Sequence, residues 1–186
     1  MEWMIMPLKR YAQFSGRSRR MEFWMWVLFV FGAVIMLSIL DSLLGLGGSS
    51  QLGTGAVPGT TGVAGAYANT RGGILTGLFS LAILIPNIAV QVRRLHDTGR
   101  SGWWVGALYL LYIVFVVGAF TIGMSALGGA SPNLGSLGLM FGVGGLVFLV
   151  YAIMLLVFFF LPGTTGPNRF GPDPKNPEAN LGDVFS

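Results

Sequence analysis

Four long apolar stretches alternate with segments rich in glycine or arginine along this 186-residue chain. The pattern predicts helices over about 22–45, 74–92, 103–127 and 138–161. At about 1.5 Å per residue each reaches across a hydrocarbon core of roughly 30 Å. A segment in lipid must satisfy its own backbone polar groups, which favours helices over isolated strands. The expected fold class is therefore all-α integral membrane, a four-transmembrane-helix bundle forming a single membrane domain over 1–186. An N-terminal segment (1–21), a Gly-rich connection (47–73) and a tail (162–186) lie outside the spans.

Composition agrees with this reading. Hydrophobic residues make up 53% of the chain and charged residues only 10%, with a mean hydropathy of +0.71. A soluble globule carries roughly a quarter charged residues. The uncharged run from Phe23 to Leu40 exceeds the about 7–15 apolar residues of a cleavable signal, so the first span is expected to be retained. Cysteine is absent and His96 is the single histidine. Thiolate chemistry is thereby excluded, as is a multi-histidine metal site within one chain, and no metal or cofactor is expected.

Charge supplies the expected orientation. Lys9, Arg10, Arg17, Arg19 and Arg20 precede span 1; Arg93, Arg94 and Arg100 lie between spans 2 and 3; Arg169 and Lys175 follow span 4. Arg71 alone falls on the other side. This bias predicts that both termini and the second connection are cytoplasmic. Basic residues flanking apolar runs read as a topology signal, so nucleic acid is not an expected partner. The 47–73 connection, with one charge and little apolar content, is expected to be a flexible spacer, and residues after Pro177 are expected to be flexible too.

Within the spans, Asp41 sits near the far end of span 1 and reads as an interfacial acid rather than an ion or proton site. Pro86 frees a carbonyl in span 2, and Asn87 beside it is expected to bond a neighbouring helix. Gly73 with Gly77 and Gly138 with Gly142 are small-xxx-small pairs suited to packing the bundle, with a homo-oligomer contact as the other use.

Three polar stretches are too patterned to be charge anchors only: GRSRRMEFW (16–24), RRLHDTGRSGWW (93–104) and PGTTGPNRFGPDP (162–174). On these motifs and their order the chain resembles the DUF805 family of small bacterial inner-membrane proteins. The second and third motifs carry the resemblance, which covers most of the chain. It implies a multi-pass protein of the bacterial cytoplasmic membrane and no defined activity. The Gly-rich connection matches no family motif and reads as a variable insertion.

The residues themselves suggest more. A helical continuation of span 2 puts Arg94 and Asp97 on one face. Gly99 stops that helix and Ser101 caps the next, while Trp24, Trp103 and Trp104 serve as interface anchors. The proline-rich tail leaves span 4 as an extended strap, with Phe170 free to insert beneath the bundle. Gly16-Arg17-Ser18 and Gly99-Arg100-Ser101 precede spans 1 and 3 alike, an echo that suggests two hairpin pseudo-repeats. Association of the hairpins would gather Arg17, Arg20, Glu22, Arg94, His96, Asp97, Arg100, Asn168 and Arg169. Arginine outnumbers acid there, which suits an anionic lipid headgroup, a small anion or a partner membrane protein. The leading reading is a non-enzymatic membrane protein surrounded by membrane lipids. An enzyme acting on a headgroup, with His96 as base, and an oligomeric small-solute transporter or channel using Asp41 and Asn87 stay open as alternatives.

Overall fold

The computed structural model describes residues 2–47, 51–56, 64–69, 73–127, 135 and 138–175. It contains four helices long and apolar enough to span a membrane: α2 (Arg20–Leu43), α3 (Ile74–Asp97), α4 (Trp103–Leu127) and a fourth unit. The fourth begins as a π-helical stretch, Gly138–Gly144, and continues as α5, Gly145–Phe160. Glycine at both ends of the π stretch tolerates the widened turn. The end of the bundle holding the connection between α3 and α4 is the elbow end; the opposite one is the ribbon end.

α3 is the central element, packing against α2, α4 and α5. Its core partners are Phe23 and Trp26 of α2, Val105 of α4, and Leu155 and Phe159 of α5, which close on Ile83, Val90 and Leu95. Most of this core lies toward the elbow end. Exposed apolar side chains such as Phe31, Ile39, Leu78, Leu81, Phe120 and Phe141 cover the remaining length, as expected for surface that meets lipid. Inside the bundle the Trp26 indole donates to Asn87 Oδ1 at 3.2 Å, so Asn87 bonds a neighbouring helix.

Two elements depart from the sequence reading. The N-terminal segment holds a short helix, α1 (Glu2–Lys9), packed against α2 and α3 with Pro7 fully buried. Within the 47–73 connection, expected as a spacer, β1 (Gln51–Ala56) pairs antiparallel with β2 (Ala64–Asn69), Gln51 opposite Asn69 and Ala56 opposite Ala64. Arg71, the 128–134 part of the third connection and the tail beyond Lys175 lie outside the described residues.

Asp41 closes the ribbon end. Its carboxylate accepts the backbone N–H groups of Leu75 (3.0 Å) and Thr76 (2.9 Å) and the Thr76 hydroxyl (2.8 Å). It is thus an N-cap for α3 supplied from α2, placed where the helix dipole favours an anion. Gly73, the residue before α3, lies so close that a Cβ there would overlap the Asp41 carboxylate. The partner pair Gly138 and Gly142 has open space at both positions.

Candidate functional site

The elbow starts with the end of α3. Gly99 takes φ +74°, its N–H bonds the His96 carbonyl at 3.0 Å, and the Arg100 N–H reaches back to the Leu95 carbonyl at 2.9 Å. This is a Schellman closure, and glycine is the residue that enters its left-handed position without strain. Ser101 Oγ then accepts the Trp103 N–H at 3.4 Å, a loose cap for α4. α3 therefore extends past its apolar run, carrying Arg93, Arg94 and Asp97 into the protein, where all three are buried.

Two buried ion-pair groups result. In the first, Asp97 bridges two arginines: Oδ1 accepts from Arg17 Nε at 3.0 Å and Oδ2 from Arg94 Nη1 at 2.5 Å. One carboxylate balances only one guanidinium, and backbone carbonyls supply the rest. Arg17 donates to the carbonyls of Thr164 and Gly166, and Arg94 to those of Phe159 and Leu161. Arg94 thus acts as a C-cap for α5 from outside that helix, with its charge at the negative end of the dipole. In the second group Arg93 Nη1 lies 3.0 Å from Glu22 Oε1. None of the Arg93 guanidinium nitrogens makes a well-directed hydrogen bond among the described residues.

The tail returns the favour to α3, whose last carbonyls lack helical partners. The Thr164 N–H and hydroxyl bond the Asp97 carbonyl at 2.8 and 3.2 Å. Asn168 Nδ2 donates to the His96 carbonyl at 3.0 Å and to Thr164 Oγ1 at 2.9 Å. Arg169 reaches the Gly99 carbonyl at 3.2 Å. Gly163 runs so close beneath Asp97 that a Cβ would collide with the carboxylate. Further along, Asp173 accepts the N–H groups of Lys175 (2.9 Å) and Gly166 (3.1 Å). The Lys175 bond foremost, then the Gly166 bond and the nearby Arg17 charge, hold its carboxyl below the ordinary 3.8 despite an opposing desolvation.

His96 and Asp97 point apart, as neighbours on a helix do. His96 Nδ1 lies 3.2 Å from the Gly16 carbonyl and, since a carbonyl only accepts, carries the proton of that bond. Its ring stacks on Phe170, centroids 3.9 Å apart and nearly parallel. Phe170, expected to insert freely, is the lid on His96.

Of the nine residues expected to converge, Arg17, Arg94 and Asp97 form the centre, and His96, Asn168 and Arg169 form the tail contact. Glu22 belongs to the Arg93 pair. Arg20 and Arg100 stand outside: Arg20 is exposed with one long bond, 3.5 Å, to the Phe160 carbonyl, and Arg100 lies 3.8 Å above the Phe158 ring. Gly16, like Gly99, has positive φ, but Arg17 is buried while Arg100 sits at the surface, so the two GRS copies place their arginines differently. Of the anchors, Trp103 is 82% exposed, Trp104 packs on Tyr151 and Phe158, and Trp24 packs on Phe160. The residues missed are Arg93, Gly163, Thr164, Gly166 and Asp173. A signal for Arg93 existed: consecutive helical residues point about 100° apart, so Arg93 and Arg94 need different acids, and the first two motifs hold one each, Glu22 and Asp97.

Among the described residues there is no cluster of three or more His, Cys, Asp or Glu able to hold a metal. The arrangement is a clasp joining the N-terminal segment, the elbow and the tail, with arginines left open around its rim.

Comparison with known proteins covers the same stretch. The family model described as "Protein of unknown function (DUF805)" matches residues 11–172. The chain is similar to the inner membrane protein YhaH of Escherichia coli K12, 31% identical over 94% of this chain and 98% of that protein. It is also similar to the inner membrane protein YhaI of the same organism, 32% identical over 94% and 97%. No solved structure matches. The four spans, the elbow and nearly all of the described tail fall within the matched residues, and the chain belongs to the DUF805 family of multi-pass membrane proteins.

Proposed function

We propose that this protein is a non-enzymatic component of the bacterial inner membrane that binds anionic lipid headgroups at a cytoplasmic elbow end. One observation carries the reading: the arginines at this end divide into two sets. Arg17 and Arg94 are buried and engaged by Asp97 and carbonyls. Arg20 and Arg169 are exposed and Arg100 half-exposed, with no carboxylate paired to any of them among the described residues: Arg20 has a 3.5 Å carbonyl bond, Arg100 a ring, and Arg169 the Gly99 carbonyl and the Phe170 ring. The clasp thus fixes the tail and elbow while basic side chains stay available to headgroups, each contributing about 1 kcal/mol near an anionic surface. The engagement of His96 by the Gly16 carbonyl and the Phe170 ring supports a non-enzymatic role.

Native mass spectrometry of the protein released from mixed phosphatidylglycerol and phosphatidylcholine tests the binding. Wild type should retain phosphatidylglycerol preferentially, and the combined Arg20→Gln, Arg100→Gln, Arg169→Gln variant should lose most of that preference. Equal retention by both would overturn the reading. Orientation is tested separately: the chain has no cysteine, so Ser15→Cys offers one thiol. Labelling of intact spheroplasts by an impermeant maleimide would contradict a cytoplasmic elbow end.

A further inference from the structure

We propose that a trough between the start of α2 and the end of α5 seats one acyl chain of an anionic phospholipid, with its phosphate on Arg20. This rests on the lipid-binding reading above and names the site. The trough has a volume of about 470 Å³ and is lined by Arg20, Met21, Trp24, Met25 and Phe160. That volume falls within the roughly 300–1,000 Å³ of small-molecule sites. Its wall is built by the Trp24 and Phe160 rings, packed 4.5 Å apart, together with two methionines that adapt to an irregular chain.

Charge and position select the occupant. Arg20 is the one charged residue of the lining, and among the described residues its hydrogen bond is the 3.5 Å one to the Phe160 carbonyl. It also opens α2, whose N-cap position, Arg19, gives no side-chain cap. The positive end of the α2 dipole lies at the same residue as the guanidinium, which suits a phosphate. Below the rim the trough runs into exposed apolar surface at Met21 (63%), Phe160 (56%) and Leu156 (47%). It opens toward the bilayer, so its occupant is a lipid from that bilayer.

The test uses nanodiscs of phosphatidylglycerol and phosphatidylcholine, with a photoactivatable diazirine on an acyl chain of each lipid in turn. Peptide mapping should place phosphatidylglycerol adducts on Met21, Trp24 and Met25, about fivefold above those of the phosphatidylcholine probe. Arg20→Gln should bring the two probes to equal yield, and Arg20→Lys should keep most of the difference. Met25→Trp, which fills the trough, should lower adducts from both probes. A phosphatidylglycerol preference with adducts spread evenly over the apolar belt would overturn the trough and leave the broader reading standing. No preference in retention or labelling would overturn both. The wild-type comparison decides this even where a variant fails to fold.

Discussion

Arg17 and Asp97 are 80 residues apart in the chain, and Arg17 Nε lies 3.0 Å from Asp97 Oδ1. Arg94 holds the other oxygen of the same carboxylate, and both arginines extend to carbonyls at the end of α5 and in the tail. Three distant segments are thereby fixed through one buried acid. Burying two cations against one anion is costly, and dense carbonyl ligation is what offsets the excess charge.

Asp97→Asn should therefore be strongly destabilising. It removes the carboxylate that pairs directly with two buried guanidinium groups, a change that costs about 3–5 kcal/mol when a buried pair is broken. Thermal unfolding in detergent should show a markedly lower midpoint, and trypsin should cut at Arg169 or Lys175 faster than in wild type. A midpoint shifted by less than the equivalent of about 0.5 kcal/mol, the range of an ordinary surface change, would contradict the clasp.

Gly163→Ala should loosen the same unit without touching a charge. The added methyl meets the Asp97 carboxylate, which two arginines hold in place, so the tail has to move. Gly77→Ala is the matched control, because a Cβ there meets nothing within 4 Å and lies in a helix. It should be neutral or stabilising by up to about 1 kcal/mol. Equal melting of the two variants would show that the close approach at Gly163 has no energetic weight.

The spans were legible because lipid demands long uninterrupted apolar runs, and a hydropathy pattern reports just that. The end of α3 was legible in part: the helical continuation to Gly99 with Arg94 and Asp97 on one face was readable, but the burial of Arg93, Arg94 and Asp97 was not, because their partners come from distant segments. Arg17, Arg94 and Asp97 could be nominated from the surplus of arginine in odd motifs. Their main acceptors could not, since backbone carbonyls of residues 159–166 leave no mark in side-chain identity. Glycine at 163 reads as a turn residue, and only the neighbouring carboxylate gives its reason. Helix α1 is short and contains Pro7, so its own propensity is poor and packing against α2 and α3 decides its conformation.

The tail should also respond to acid. The Asp173 carboxyl is held below the ordinary 3.8, chiefly by the Lys175 and Gly166 N–H bonds. A carboxyl depressed on folding contributes stability above its unfolded value, and that contribution is lost as pH falls through the lower folded value. Hydrogen exchange at Gly166 and Lys175, corrected for the intrinsic effect of pH, should be steady from pH 7 to 5 and lose protection below 3.8. Asp173→Asn should exchange faster at pH 7 and lack the acid step. Matching profiles for the two proteins would remove Asp173 from the tail's support.

Tyr11 and Pro86 form a pair whose coupling has a definite sign. Pro86 has no N–H, so the carbonyl of Ala82, four residues earlier, loses its helical partner. The Tyr11 hydroxyl donates to that carbonyl at 2.5 Å from outside α3. Tyr11→Phe should cost about 1–2 kcal/mol, because a lipid-facing carbonyl finds no water to replace the bond. In a Pro86→Ala background residue 86 regains its N–H and can close the helical bond to Ala82, so the same change should cost close to nothing. A double-mutant cycle on the unfolding midpoint measures this directly. Equal losses in the two backgrounds would mean that Tyr11 stabilises α1 by packing alone and that the freed carbonyl is satisfied elsewhere.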